Sequence, residues 1–158
     1  MLKRISALIF SILLLSLIFS QQVFAYDKNT EANHIATRFE KVVERVNLLL
    51  KFNSDDKIKY YSYLTDKRLT ELEYIVSLND INNIEESSSR YASYLGNLKE
   101  MVIKNKQTKQ KNEIVQMMDD HLSRLEKLRN KFKYDSAWWL SLKWSFDTAK
   151  EVKDTVQK

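Results

Sequence analysis

Residues 52–59 read FNSDDKIK, a polar stretch that separates two segments whose apolar residues recur at helical spacing. Its adjacent acids, Asp55 and Asp56, can belong to a metal site, to a general acid and base, or to the start of a helix. Ser54 and Asp55, with Asn53 before them, can cap a helix by accepting the free N–H groups of its first turn. Both acids also suit the positive end of a helix dipole. Because no histidine lies nearby and no third carboxylate follows at EF-hand spacing, the stretch predicts a capped helix start at a corner of the fold.

On either side of this corner, a wheel of 100° per residue gives five amphipathic segments. The predicted helices cover residues 31–51, 55–77, 81–104, 109–133 and 136–156. In the first of them, the apolar residues from Ile35 to Leu50 share one face and Glu44 lies opposite. We therefore expect the apolar face of this helix to be the one that packs.

The composition also favours helices. The chain has 158 residues, no proline and one glycine, Gly96. Since proline and glycine build tight turns, their near absence argues against a sheet protein, and no stretch shows sustained alternation of period two. Short connections make consecutive helices antiparallel neighbours. The sequence therefore predicts an all-α fold, an up-and-down bundle of four to five amphipathic helices, in a single domain that covers residues 26–158.

The first 25 residues have the three parts of a secretory signal peptide. Lys3 and Arg4 are its basic region, residues 5–19 its apolar region, and Val23-Phe24-Ala25 its cleavage site. The rest of the chain is thus predicted to be exported to the periplasm, the cell surface or the medium. An uncleaved membrane anchor is the alternative, although about 20 apolar residues are needed to span a bilayer and Gln21 interrupts this run early. The chain has no cysteine, so a lipoprotein anchor and disulfide bonds are excluded.

The charge of the chain is only mildly basic. Removing the leader with its two basic residues lowers the formal net charge from +5 to +3. This excess argues against a nucleic-acid partner, which usually needs a stronger and more clustered basic surface. One lysine cluster stands between the third and fourth predicted helices, at Lys104, Lys106, Lys109 and Lys111. We interpret it as a solvated connection, with contact to anionic lipid head groups or wall polymers as the alternative.

Several short motifs surround the corner or lie in the fourth predicted helix. They are Glu44-Arg45-Val46, Leu48-Leu49-Leu50, Phe52-Asn53-Ser54, Arg68-Leu69-Thr70-Glu71-Leu72 and His121-Leu122-Ser123-Arg124-Leu125-Glu126. In this order they resemble the motifs of a family of exported bacterial proteins, domain of unknown function 5667. The corner has Asn-Ser where that family favours Asp-Pro, and residues 34–38 replace its proline-containing lead-in. The resemblance implies an exported α-helical domain over most of the mature chain, and it implies no activity.

Two ionisable residues fall on the apolar faces of their helices. His121 lies between Met118 and Leu125, where a histidine either pairs with a neighbour in the core or titrates when the compartment acidifies. Arg68 lies in the middle of its apolar stripe and, if buried, needs a carboxylate or carbonyl partner. The chain has one Glu-x-x-His motif where a di-metal bundle needs two. We therefore expect no metal and no cofactor.

Four large side chains lie off the apolar stripes of their helices and are candidates for binding a partner. Leu140 and Trp144 project from the back of the last helix. That helix is either buried on both faces or carries an exposed anchor for a protein or a membrane interface. Tyr60 and Tyr63 can stack on sugars or simply lie on the surface.

Three functions are compatible with the sequence. It contains no Gly-rich phosphate loop, G-x-S-x-G elbow or H-E-x-x-H motif, which argues against an enzyme. The first hypothesis is a non-enzymatic protein-interaction module at the cell envelope or outside, with an exposed apolar patch around Leu140 and Trp144. The alternatives are a small envelope stress protein or chaperone, and a cell-wall glycan binder or lytic enzyme.

Overall fold

The computed structural model describes residues 34–105 and 109–158 as helices joined by short turns, and no strand occurs in these two ranges. The helices are α1 (Arg38–Leu49), α2 (Ser54–Ser77), α3 (Ile84–Lys104), α4 (Lys111–Arg129) and α5 (Ala137–Gln157), with a 3₁₀ turn at Ile81–Asn83. The all-α prediction is thus confirmed. The predicted signal peptide, residues 1–25, and Lys106 of the lysine cluster lie outside the described residues. None of the helices described here is long and apolar enough to cross a membrane.

The corner between α1 and α2 is built much as the sequence suggests, with one correction. Asn53 caps α2, because its side chain accepts the Asp55 N–H at 3.0 Å. Ser54 and Asp55 were the expected caps, but they are the first two helical residues, since Asn53 already takes the capping position. Asp55 and Asp56 lie in the first turn. Asp55 also accepts the side-chain amide of Asn105 at 2.9 Å, which ties the corner to the end of α3.

At other helix ends, polar residues form the caps and tight turns for which many proteins use glycine. Thr37 caps α1 and forms a capping box with Glu40, so the helix begins at Arg38 and not near residue 31 as expected. Asn79, after α2, and Asp135, before α5, adopt φ angles of 56° and 65°. Asn and Asp tolerate this left-handed conformation better than other residues with a side chain. The chain can therefore turn tightly with almost no glycine.

Consecutive helices run antiparallel, but they do not follow one another around the bundle. α2 packs on α3 and α4 packs on α5, so that the chain forms two helical hairpins. The hairpins meet through α3 and α5, which run parallel: Ser145 donates to the Ser88 carbonyl at 3.3 Å, and Lys99 pairs with Glu151 at 2.5 Å. Among the described helices, α3 and α4 make no extensive contact although they are consecutive. The expected alternation of direction is present, but the expectation that every helix packs on the next one fails for α3 and α4, because a short connection sets the direction of the next helix but not its position.

The core lies between α2, α3, α4 and α5, and their predicted apolar faces are buried. Its members include Ile58, Leu69, Leu72, Ile75, Tyr91, Leu95, Leu98, Ile114, Met118, Leu125, Leu142, Ala149 and Val152. None of the residues of α1, Arg38–Leu49, belongs to this cluster. The buried residue of α1 is Glu44, and the apolar side chains opposite it face solvent. The expectation that the apolar face of α1 packs is therefore wrong, and the reason lies in the charges beneath that helix.

Candidate functional site

A cluster of ion pairs lies beneath α1, where this helix meets α2 and α3. The Arg68 guanidinium donates to the Glu71 carboxylate at 2.5 Å and also to the Glu44 carboxylate. It stacks over the Tyr94 ring, 5.0 Å from the ring centre. Lys67 donates to the same Glu44 carboxylate at 2.7 Å. Two cations and two carboxylates thus balance one another at the seam between α1 and the bundle.

The carboxylates of this cluster raise the pKa of its two cations. Burial alone lowers the pKa of Arg68, but the hydrogen bond and charge of Glu71, with the charge of Glu44, raise that pKa above its usual range. Burial also opposes the charge of Lys67, and Glu44 raises the pKa of this amine. The sequence predicts a carboxylate partner for Arg68, and Glu71 lies three residues along the same helix face, where it can be found by spacing. Glu44 belongs to another helix, so no spacing rule points to it.

His121 lies in a second polar cluster, between α2, α3 and α4. Its side chain is fully buried, with Nδ1 at 3.0 Å from the Tyr91 hydroxyl and Nε2 at 3.1 Å from the Asp66 carboxylate. Burial raises the pKa of Tyr91 well above its usual range, so the hydroxyl keeps its proton and can donate to Nδ1. Nε2–H then donates to Asp66. Both ring nitrogens have partners, which is the arrangement expected of a core histidine.

Asp66 also belongs to a group of possible metal ligands. Ligand atoms of Asp66, Asp120 and His121 lie within 4.8 Å of one another. However, the Arg124 guanidinium donates to Asp66 at 2.8 Å and to Asp120 at 3.3 Å, and it makes two further bonds to Glu73, at 2.8 and 2.5 Å. Because Arg124 already donates to a carboxylate oxygen of each aspartate, a metal ion would have to displace the guanidinium to bind here. We interpret the group as an ion-pair network. The sequence does not indicate Asp66 as a member, because Asp66 pairs with residues of another helix.

α1 presents a row of large apolar side chains to solvent. We call this surface the outer face of α1. It consists of Phe39, Val42, Val46, Leu49, Leu50 and, at the following corner, Phe52. The exposed fraction is 73% for Phe39, 76% for Leu49 and 90% for Phe52. Exposed apolar surfaces of this kind mark sites of contact with proteins or membranes. These residues have the spacing of a core stripe, so the sequence does not indicate a binding site here.

The predicted partner-binding residues fall into two groups. Leu140 and Trp144 are 47% and 51% exposed, one turn apart on α5, so this helix is not buried on both faces. Tyr60 is buried, with its ring centre 5.9 Å from that of Tyr63, which is partly buried. Burial raises the pKa of Tyr60 to about 12, although the hydrogen bond with Asn47 acts to lower it. The prediction that Tyr60 lies on the surface is therefore wrong, because α1 covers this tyrosine.

The chain matches a known protein family. The family is described as Domain of unknown function (DUF5667), and the match covers residues 38–131. This range includes α1 to α4 with both polar clusters, whereas Leu140 and Trp144 lie outside it. No curated protein and no solved structure matches the chain. Because the family match spans more than half of the chain and includes all the motifs that resemble it, the protein belongs to the family Domain of unknown function (DUF5667).

Proposed function

We propose that the protein is an exported, non-enzymatic domain that binds a partner protein through Leu140 and Trp144. The observation that carries this proposal is the exposure of both side chains on α5, a helix whose opposite side is fully buried in the core. Tryptophan combines a large apolar ring with an N–H donor and is enriched where proteins bind each other. The leader-like first 25 residues support export.

Two observations support a non-enzymatic function. The imidazole of His121 is fully buried and bonded to Tyr91 and Asp66, so no substrate can reach it. The carboxylates with a buried side chain, Glu44 and Glu71, are paired with Arg68. General acid–base catalysis needs a group within hydrogen-bond reach of a substrate, and these groups are occupied by one another.

Capture from cells of the source bacterium tests the proposal. The protein is crosslinked in intact cells, purified, and the captured proteins are compared between the natural sequence and a Leu140→Ser, Trp144→Ser variant. We expect one specific partner that the variant loses. Ile103→Ser is the matched control, because Ile103 is 48% exposed on α3, and it should retain the partner. Equal capture by the Leu140 and Trp144 variant would overturn the proposal, and mass measurement of the N-terminus checks export.

A chaperone function is the second candidate, and the outer face of α1 favours it. A row of exposed apolar side chains can bind the apolar segments of unfolding proteins. The test is suppression of the aggregation of a heat-denatured client at equimolar protein, compared between the natural sequence and a Phe39→Ser, Phe52→Ser variant. The wall-glycan hypothesis has less support, because Tyr60 is buried and cannot stack on a sugar. Pull-down with purified peptidoglycan tests it.

A further inference from the structure

The outer face of α1 is held toward solvent by the ion pairs on the other side of the helix. Glu44 accepts from Arg68 and Lys67, and together with Glu71 it compensates the charge of the buried Arg68 guanidinium. The Ala36 N–H, just before α1, donates to Glu71 at 3.2 Å and fixes the entry to the helix. Rolling α1 to bury its apolar face would remove Glu44 from Arg68 and leave a buried charge with less compensation, which is costly. The exposed row is therefore a stable feature of the fold.

The solvent-facing side of α1 carries positive charge and lacks negative charge. Arg38 and Arg45 are exposed and lie beside the apolar row on the helix wheel. The acids of α1 are engaged elsewhere: Glu44 is buried, and Glu40 closes the capping box with Thr37. The Glu40 side chain is 35% exposed, but it lies away from the apolar row on the helix wheel. The side of Arg38–Leu49 that carries the row is thus apolar and cationic.

The combination of apolar and cationic side chains decides which partner suits the outer face of α1. A second copy of the chain in antiparallel register would bring the Arg38 and Arg45 edges of two α1 helices together, and like charges repel. An anionic lipid surface offers acyl chains to the apolar row and phosphates to the two arginines. A bilayer surface also needs no groove that matches the convex shape of α1. With 12 residues, α1 is about 18 Å long, too short to span a bilayer but suited to lie in the plane of its interface.

We propose that the outer face of α1 is a peripheral binding site for an anionic lipid bilayer. Phe39, Leu49 and Phe52 enter the boundary between head groups and acyl chains, and Arg38 and Arg45 contact lipid phosphates. The site is separate from Leu140 and Trp144, which stay available for a partner protein. Binding through α1 would hold the domain on a membrane surface, and none of the described helices would need to span the membrane.

The absence of cysteine allows a site-specific test on the full chain, with or without its leader. Leu49→Cys and, separately, Leu140→Cys are labelled with an environment-sensitive fluorophore and mixed with vesicles. We expect the Leu49 label to shift to shorter wavelength with vesicles that contain phosphatidylglycerol, and much less with pure phosphatidylcholine. The Leu140 label should not respond. Comparing the two positions separates contact by α1 from binding by the leader, which would carry both labels to the vesicle but bury neither.

Two further variants in the Leu49→Cys background test the chemistry. Arg38→Gln with Arg45→Gln should weaken binding to the anionic vesicles by roughly 25-fold at low salt, since each basic residue near such a surface contributes roughly fivefold. Phe39→Ser with Phe52→Ser should abolish the wavelength shift. All these residues face solvent, so circular dichroism should show the helicity of the parent protein.

Several outcomes would overturn the proposal. A Leu49 label that does not respond to anionic vesicles would exclude lipid contact by α1. A shift that grows with protein concentration in the absence of lipid would assign the outer face to a second copy. A shift caused by a soluble cell extract, but not by vesicles, would assign it to a protein. A response of the Leu140 label alone would move the lipid site to α5, and it would also contradict the proposed protein-binding role of that surface.

Discussion

Glu44 of α1 accepts a hydrogen bond from the guanidinium of Arg68, which lies 24 residues further along the chain in α2, and both side chains are buried. This pair reverses the orientation that an amphipathic helix normally adopts. The side of α1 that carries Glu44 faces the bundle, and its apolar side faces water. The pair therefore determines both how α1 is attached and which of its surfaces is available for binding.

Removing the charge of Glu44 should loosen α1. In Glu44→Gln, Arg68 and Lys67 lose one carboxylate while Glu71 remains. Breaking a buried ion pair usually costs about 3–5 kcal/mol, and because Glu71 stays we expect the free energy of unfolding to fall by about 2 kcal/mol. Urea denaturation measures this change. Amide hydrogen exchange should show lower protection throughout α1 and little change in α4.

A double-mutant cycle and an exposed pair serve as controls for this prediction. Arg68→Met removes the buried charge, so Glu44→Gln should cost less in that background than in the natural protein. Asp147→Asn breaks the exposed pair between Lys143 and Asp147 on α5, and it should change stability by about 0.5 kcal/mol at most. If Glu44→Gln costs no more than Asp147→Asn, the pair does not hold α1 in place.

The faces of α2 to α5 could be predicted from sequence, whereas the orientation of α1 could not. Apolar residues at helical spacing, such as Leu72, Leu95 and Leu125, are buried as expected. The same spacing in α1 identifies the apolar face but not the face that packs. That outcome depends on Arg68, which is buried in α2 and binds a carboxylate from another helix. A contact between helices leaves no periodic signal in the sequence.

In the candidate sites, too, the sequence indicates partners on the same helix but not partners on another helix. Spacing places His121 and Arg68 on apolar faces, and both are buried. It also indicates Glu71 as a partner for Arg68, because both lie on one helix. It does not indicate Asp66 as a partner for His121, because the two residues are 55 positions apart and meet only through the packing of α2 on α4.

Removing the hydroxyl that contacts His121 should destabilise the core. In Tyr91→Phe, the ring still fills its space but Nδ1 of His121 loses its partner inside the bundle. A buried polar atom without a partner costs about 1–3 kcal/mol, so we expect thermal denaturation to show a clear loss of stability. Tyr134→Phe is the control, because this tyrosine is exposed, and it should behave like the natural protein. Equal stability of the two variants would show that the hydroxyl does not contribute.

Stability should fall in acid, in part because of Asp66. Burial alone would raise the pKa of this carboxyl, but the hydrogen bond from His121 and the charge and hydrogen bond of Arg124 lower it below its usual 3.8. A carboxyl with a lowered pKa in the folded state stabilises the protein above its unfolded pKa, and the contribution is lost as pH falls through the folded pKa. The free energy of unfolding, measured in urea between about pH 5 and about pH 2, should therefore decrease. Asp66→Asn should reduce this dependence on pH, and an unchanged slope would contradict the assignment.

Acid should also affect the start of α1 through Glu40. The hydrogen bonds from the Thr37 N–H and from His34 lower the pKa of this carboxyl from 4.5 to about 2. Its stabilising effect on the capping box is fully present above pH 4.5 and is lost as pH falls toward 2. The protection of the first turn of α1, that is, its hydrogen exchange relative to the intrinsic rate at each pH, should therefore decrease over this range. Glu40→Gln should exchange faster already at neutral pH and should change less in acid.

The corner at residues 52–59 offers a direct test of which side chain caps α2. Asn53 accepts the Asp55 N–H at 3.0 Å, whereas Ser54 is the first residue of the helix. Asn53→Ala should therefore lower the free energy of unfolding by about 1 kcal/mol, the usual contribution of a helix cap. Ser54→Ala should have almost no effect, because alanine suits the first turn of a helix and no capping bond is lost. Urea denaturation of the two variants compares them directly. A larger loss for Ser54→Ala than for Asn53→Ala would show that the cap lies one residue later than the structure places it.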